Sequence, residues 1–216
     1  AAPDGYTMLL GAIDTITAPI VSKRRPFDGV SDFSAITQLT ASHNVLVVGP
    51  SFTGKTLADL VAQAKGNPGR IDYAASGIGS MQHLVGEMLA RMTSIQITHV
   101  PYKGGGQAMI DVMGGSIPLV YTAVAGAYNH VKSGKLKPMA VSSSQRASSL
   151  PDVPTFAESG VSDFNAASWV GFLAPAQTPA AIIQKLNAEL NATLNDPVVR
   201  DKLRVLGIEA TPGSPD

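Results

Sequence analysis

From Ile71 to Val141 the chain repeats one unit: a short apolar run, a turn, and a stretch with apolar residues at helical spacing. Ile71-Asp72-Tyr73-Ala74-Ala75 is followed by Ser76-Gly77-Ile78-Gly79-Ser80, and then Met81, Leu84, Val85, Met88, Leu89 and Met92 fall on one helix face. Ile95 to Val100, the turn Lys103-Gly104-Gly105-Gly106 and a helix over Ala108 to Met113 repeat the pattern. Ile117 to Tyr121 and Lys137 to Val141 read as two more strands, with a helix over Ala125 to Lys132 between them. Strands that alternate with helices predict an α/β protein whose sheet is mostly parallel and covered on both faces.

Around this block the signals are sparser. Tyr6 to Leu10 reads as a strand entered through the Pro3-Asp4-Gly5 turn, and Val45 to Val48 as a buried strand. Leu57, Leu60, Val61 and Ala64 form a helical stripe that Asn67-Pro68-Gly69 stops. Trp169 to Ala174 is a further apolar run after the proline-rich stretch Pro151 to Gly160. Two helices close the chain: Ile182, Ile183, Leu186, Leu190 and Leu194 face inward in one, and Val199, Leu203 and Leu206 in the other, which Gly207 ends.

At 216 residues and 44% hydrophobic, the chain is long enough for a sizeable core in one or two lobes. Lys plus Arg equals Asp plus Glu at 16 each, so no overall field attracts polyanions, and Lys23-Arg24-Arg25 is too short for a nucleic-acid stripe. No partner nucleic acid is expected. There is no cysteine, which excludes thiolate chemistry without reporting the redox compartment. His43, His83, His99 and His130 fall in no metal-ligand spacing, and no G-x-S-x-G elbow marks a serine nucleophile. Neither a metal nor another cofactor is expected.

Two glycine motifs carry candidate chemistry. Gly49-x-x-x-x-Gly54-Lys55-Thr56 matches the phosphate-cradling P-loop, after a strand and before a helix. Pro50 lacks an amide hydrogen, Phe52 adds bulk, and none of the later strands ends on an Asp that would hold Mg²⁺. A plain strand-to-helix connection with Thr56 as N-cap accounts for the same letters, leaving an ATPase or kinase as the alternative. Gly77-Ile78-Gly79 has Gln82 where a dinucleotide fingerprint needs its third glycine. Its sharp turn leaves amide hydrogens and the Ser80 hydroxyl at the positive end of a helix, where a carboxylate is stabilised. A tight turn with no ligand fits equally, and so it does for Gly104-Gly105-Gly106. His83, one turn into the first of these helices, serves either a ligand or the packing of the turn.

The stretches Ala2 to Gly11, Asn44 to Val48, Tyr73 to Leu84, His99 to Gly104, Leu150 to Thr155, Ser168 to Pro175 and Leu186 to Leu190 together resemble the substrate-binding proteins of tripartite tricarboxylate transporters, the Bug or TctC family. The resemblance runs the whole length in order and spacing. It implies a two-lobed, periplasmic-binding-protein-like (type II) α/β fold with two crossing strands as hinge: lobe one over 1–45 and 169–216, lobe two over 46–168. It also implies a non-enzymatic receptor, periplasmic, that captures a small carboxylate-bearing solute in an interlobe cleft and delivers it to membrane permease subunits. Gly49 to Thr56 would then bind no nucleotide.

Carried over by position, Ser76, Gly77, Ile78, Gly79, Ser80 and Met81 line the cleft from lobe two, and Asp14, Thr15 and Ile16 approach from lobe one. Thr122 stands where many members have an acidic residue that reads a ligand amino group, and Trp169 is either a cleft wall or a hinge packing residue. Members also carry a segment ahead of the equivalent of Ala1, including a glycine-rich loop that grips the carboxylate. Without it the sequence reads as either a fragment or a shortened relative, which predicts weak or absent ligand affinity, exposed apolar surface on lobe one and self-association to cover it.

Overall fold

A computed structural model describes residues 1–21, 26–205 and 208–215. The basic run Lys23 to Arg25, and Leu206 and Gly207 at the end of the last expected helix, lie outside the described residues. The elements run β1 (Leu9–Ala12), α1 (Ile13–Val21), β2 (Phe33–Ser42), β3 (Asn44–Val48), α2 (Leu57–Gly66), β4 (Asp72–Ser76), α3 (Met81–Thr93) and β5 (Thr98–Tyr102). They continue with α4 (Gly105–Met113), β6 (Leu119–Ala123), α5 (Val124–Lys132), β7 (Lys137–Val141), β8 (Ser168–Pro175), α6 (Ala180–Asn195), α7 (Pro197–Val205) and β9 (Glu209–Ala210). No described helix is long and apolar enough to cross a membrane. The chain divides into two compact units, residues 1–42 with 168–216 and residues 43–167.

The second unit carries a five-stranded sheet in the order β5-β4-β6-β3-β7. Alternation along its strands assigns the two faces. Leu46, Val48, Tyr73, Ala75, Leu119 and Tyr121 pack with Leu57, Leu60 and Ala64 of α2 and Val85 and Leu89 of α3. Val45, Val47, Ala74 and Val120 pack with Ala108, Met109 and Val112 of α4 and Val124 and Ala127 of α5. Each such fully buried Leu or Val contributes about 1.5–3 kcal/mol, which is why β3, buried at every residue, sits inside the sheet. The phenyl rings of Phe156 and Phe164 stack 4.3 Å apart and extend the first core.

The α/β class stands, but the mostly parallel pairing does not. Only β5-β4-β6 pair in parallel. β3 runs antiparallel to both β6 and β7; its predecessor β2 lies in the other sheet, so no strand-helix-strand crossover imposes a parallel direction on it.

In the first unit the order is β1-β8-β2-β9, with every pair antiparallel. Helix α6 covers β2 through Ile36, Ala174 and Ile183, with Phe172, Leu186 and Leu190 alongside. Asn187 Nδ2 donates to the Ile36 carbonyl at 2.7 Å, and Thr37 Oγ1 donates to Asn191 Oδ1 at 2.8 Å. Tyr6, Met8, Leu9, Leu10, Ile20 and Val30 of this unit are exposed. The first strand begins at Leu9 rather than Tyr6, since Gly5 holds a positive φ and the Tyr6 amide donates to Asp4 Oδ1. The strand expected from Ile95 likewise starts at Thr98, because Ser94 caps α3 in the left-handed region and the Ile95 amide returns to the Ala90 carbonyl.

Candidate functional site

The P-loop string folds as an ordinary helix entry. The Thr56 side chain accepts from the Asp59 amide, while Asp59 Oδ2 accepts from the amides of Lys55 at 2.7 Å and Thr56 at 3.0 Å. These donations hold the Asp59 carboxyl below its ordinary range, first through Lys55 and then Thr56. The Phe52 amide donates to the Gly49 carbonyl, and a Cβ on Gly49 would lie 2.1 Å from the Val112 carbonyl oxygen. The amides of Gly49, Phe52, Lys55 and Thr56, which a phosphate would share, are already used, and protein crowds Gly49. Because β3 is antiparallel to β6, this loop also lies at the opposite sheet edge from the turns that follow β4 and β6.

That other edge is the one where parallel α/β sheets receive ligands, beyond the carboxyl ends of their strands. After β4 the backbone takes positive φ at Gly77 and Gly79, a region that glycine enters without strain. Ser80 is the N-cap of α3: its hydroxyl accepts from the His83 amide at 3.2 Å and donates to the Gly77 carbonyl at 3.0 Å. Two of the amides in this turn are occupied. Gly77 donates to the Tyr102 carbonyl at 2.9 Å, extending the β4-β5 ladder, and Gly79 donates to His83 Nδ1 at 3.1 Å. The amides of Ser80, Met81 and Gln82 meet no protein acceptor among the described residues. The open donors therefore lie one to three residues further along than the glycines.

Side chains beneath the turn hold it in place. Ser76 Oγ donates to Gln82 Oε1 at 2.8 Å, and Gln82 Nε2 donates to Asn44 Oδ1 at 3.0 Å, with Asn44 fully buried. The His83 ring stacks on His99 at 4.2 Å, and its Nε2 lies 3.7 Å from Glu87 Oε1. Tyr73 donates to the same Glu87 oxygen at 2.8 Å. Burial, then Glu87, pushes the Tyr73 hydroxyl well above its ordinary value. Burial, then His83, lowers the His99 imidazole. His83 thus latches the turn. Met81 packs half-buried against the core, while Ile78 is exposed.

Thr122 is the penultimate residue of β6 and is 5% exposed. A Cβ on Gly105, at the start of α4, would lie 3.2 Å from its hydroxyl oxygen, and one on Gly126 of α5 would lie 3.6 Å away. Asp14, Thr15 and Ile16 belong to the first unit, in the opening turn of α1, where Thr15 Oγ1 accepts from the Ala12 amide at 3.2 Å. Asp14 and Thr15 border a surface cavity of about 870 Å³ with Met8, Leu10, Phe33 and Leu173. Trp169 and Ile16 border a second of about 370 Å³. No group of three or more metal-ligating side chains occurs among the described residues. Gln82 and Asn44 were not singled out in the sequence; Gln82 drew notice only as a missing glycine.

Open helix N-termini of this kind, gathered at one edge of an α/β sheet, are suited to small anions. The chain belongs to the family described as tripartite tricarboxylate transporter family receptors, whose model matches residues 1–215. It is 35% identical over 207 residues to a UPF0065 protein of the TAR-I ttuE-ttuC' intergenic region of Agrobacterium vitis, covering 96% of this chain and 60% of the relative. It is 32% identical over 218 residues to protein BugT of Bordetella pertussis, covering all of this chain and 67% of the relative. Of a UPF0065 protein of Pseudomonas, at 30% identity, it spans 65%. Among solved structures it is similar to an R. palustris protein with adipate (TM-score 0.87, 32% identity, 100% of this chain and 72% of that one). It is also similar to MatC of Rhodopseudomonas palustris with bound malate (TM-score 0.83, 28% identity, 97% and 71%).

Proposed function

We propose that this chain is the solute-capturing part of an extracytoplasmic receptor that holds a small carboxylate at the N-terminus of α3 and hands it, unchanged, to membrane permease subunits. The observation that carries the reading is the set of amides of Ser80, Met81 and Gln82, which have no protein acceptor among the described residues and sit at the positive end of a thirteen-residue helix. Family membership and the relatives solved with adipate and malate point to the same ligand class. Within the family, receptors of this kind work in the periplasm, which is where we place it.

Met81 offers a direct test. It is the first residue of α3, where proline is tolerated, and Ser80 has the extended backbone that precedes proline readily (φ −66°, ψ 159°). Met81→Pro deletes one donor and spares the helix. Calorimetric titration with adipate and malate is expected to show affinity about tenfold weaker in Met81→Pro than in Met81→Ala. Equal affinities in the two variants, or no binding of either acid by the unaltered chain, would sink the proposal.

A further inference from the structure

We infer that Gln82 and Asn44 are positioning residues that tie the donor turn of α3 to both stretches by which the chain enters and leaves the second unit, so that capture of a solute registers at those stretches; this rests on the reading of α3 given above. The starting observation is the double engagement of Gln82. Its main-chain amide is one of the three open donors. Its side chain accepts from Ser76 Oγ at 2.8 Å and donates to Asn44 Oδ1 at 3.0 Å. A carboxamide can do both at once, which neither a carboxylate nor an ammonium can. A solute that draws on the Gln82 amide therefore acts on a residue whose other end is held in the core.

From Asn44 the bonds continue without a break. Asn44 is fully buried, and its carbonyl accepts from the Ser142 amide at 2.8 Å. Ser142, also fully buried, exchanges two bonds with Ala166: its Oγ donates to the Ala166 carbonyl at 2.6 Å, and the Ala166 amide donates to the Ser142 carbonyl at 2.7 Å. Beside Asn44, the His43 carbonyl accepts from the amide of Val124, the first residue of α5, at 2.9 Å.

The places where these bonds end give them their meaning. The chain passes from the first unit to the second between Ser42 and His43, and back between Ala167 and Ser168. Asn44 and Ala166 are thus each the second residue inside a passage, and Ser142 joins them. Apolar side chains would pack these segments as tightly, but a hydrogen-bonded chain fixes one register among them, and a shift of one member leaves the next without its partner. Both passages thereby become sensitive to whether the donors of α3 are filled.

The test uses the 216-residue chain labelled with ¹⁵N and titrated with adipate. The amides of Ser142 and Ala166 are expected to shift in step with those of Ser80 to Gln82, while that of Leu60, bonded within α2 to Thr56, stays still. Gln82→Met keeps the main-chain donor and the length of the side chain. It should bind adipate about threefold to tenfold more weakly, still shift Ser80 and Met81 at saturation, and no longer move Ser142 or Ala166. Asn44→Ala breaks the same bond from its other side and should behave alike. A merely structural Gln82 would alter the resting spectrum and leave the response to adipate as it was. If adipate shifts Ser80 to Gln82 and leaves Ser142 and Ala166 still, or moves them equally in the variants, the coupling is refuted and the α3 reading stands. No shift at Ser80 to Gln82, whatever the other amides do, overturns both. Where one variant loses the dispersed spectrum of a folded chain the other decides, and where both do, the unaltered chain decides.

Discussion

The amide of Gly79 donates to Nδ1 of His83 across 3.1 Å, so the turn that presents the open donors is held by an imidazole that accepts only when neutral. The groups that face the ring are Glu87 on the same helix, His99 from β5 and Tyr73 from β4. His83→Ala removes the acceptor and is expected to weaken adipate about fivefold to tenfold in calorimetric titration, while His83→Asn, whose side-chain oxygen can replace Nδ1, should keep the affinity. Equal affinity in His83→Ala and the unaltered chain would show that the latch plays no part.

His99 predicts a pH effect on stability instead of on binding. Its imidazole is lowered by burial and by His83, and its Nε2 is buried without a partner among the described residues. The unfolded chain, near the ordinary histidine value of about 6.5, takes up the proton first as the solution is acidified. The contribution is complete above that value and is lost as pH falls towards the lower folded one. Urea midpoints at about pH 7.5 and about pH 5 should differ less in His99→Phe, which keeps the stacked ring, than in the unaltered chain.

Thr56 tests the fate of the glycine-lysine-threonine string. Loss of its cap in Thr56→Ala should cost about 1 kcal/mol in urea unfolding. Lys55→Met should cost almost nothing, since the Lys55 interaction seen here is through its amide. ATP with Mg²⁺ should leave the melting temperature of all three chains unmoved; a rise would reinstate nucleotide binding.

Gly86 is the most crowded of the helical glycines in the second unit. A Cβ there would lie 2.4 Å from the Tyr73 ring, itself fully buried against His99 and Tyr121. Gly86→Ala is expected to lower stability by about 1–3 kcal/mol, and Tyr73→Leu in the same chain should recover part of that loss. Additive effects in the double variant would refute the proposed clash.

How much of this could be read from the letters depended on whether local periodicity survived folding. The helical stripes of α2, α3 and α6 did, because each buries one face on a sheet. β2 did not: its register slips between Ala35 and Thr37 and between Gln38 and Thr40, and those bulges break the alternation that marks a strand. Helix α1 carries Pro19 and several β-branched residues, which hid it. The turn at Gly77 and Gly79 was visible through its glycines. The link from Ser76 through Gln82 to Asn44 was not, because its ends are far apart in sequence and meet only once β3 lies inside the sheet.

Helices α4 and α5 begin without a side-chain cap, at Gly104 and Ala123. The amide hydrogens at such starts belong to the polypeptide itself and survive almost any exchange of side chains. Mutation can therefore redraw the surroundings of these two helix starts without altering the polarity of the main chain there.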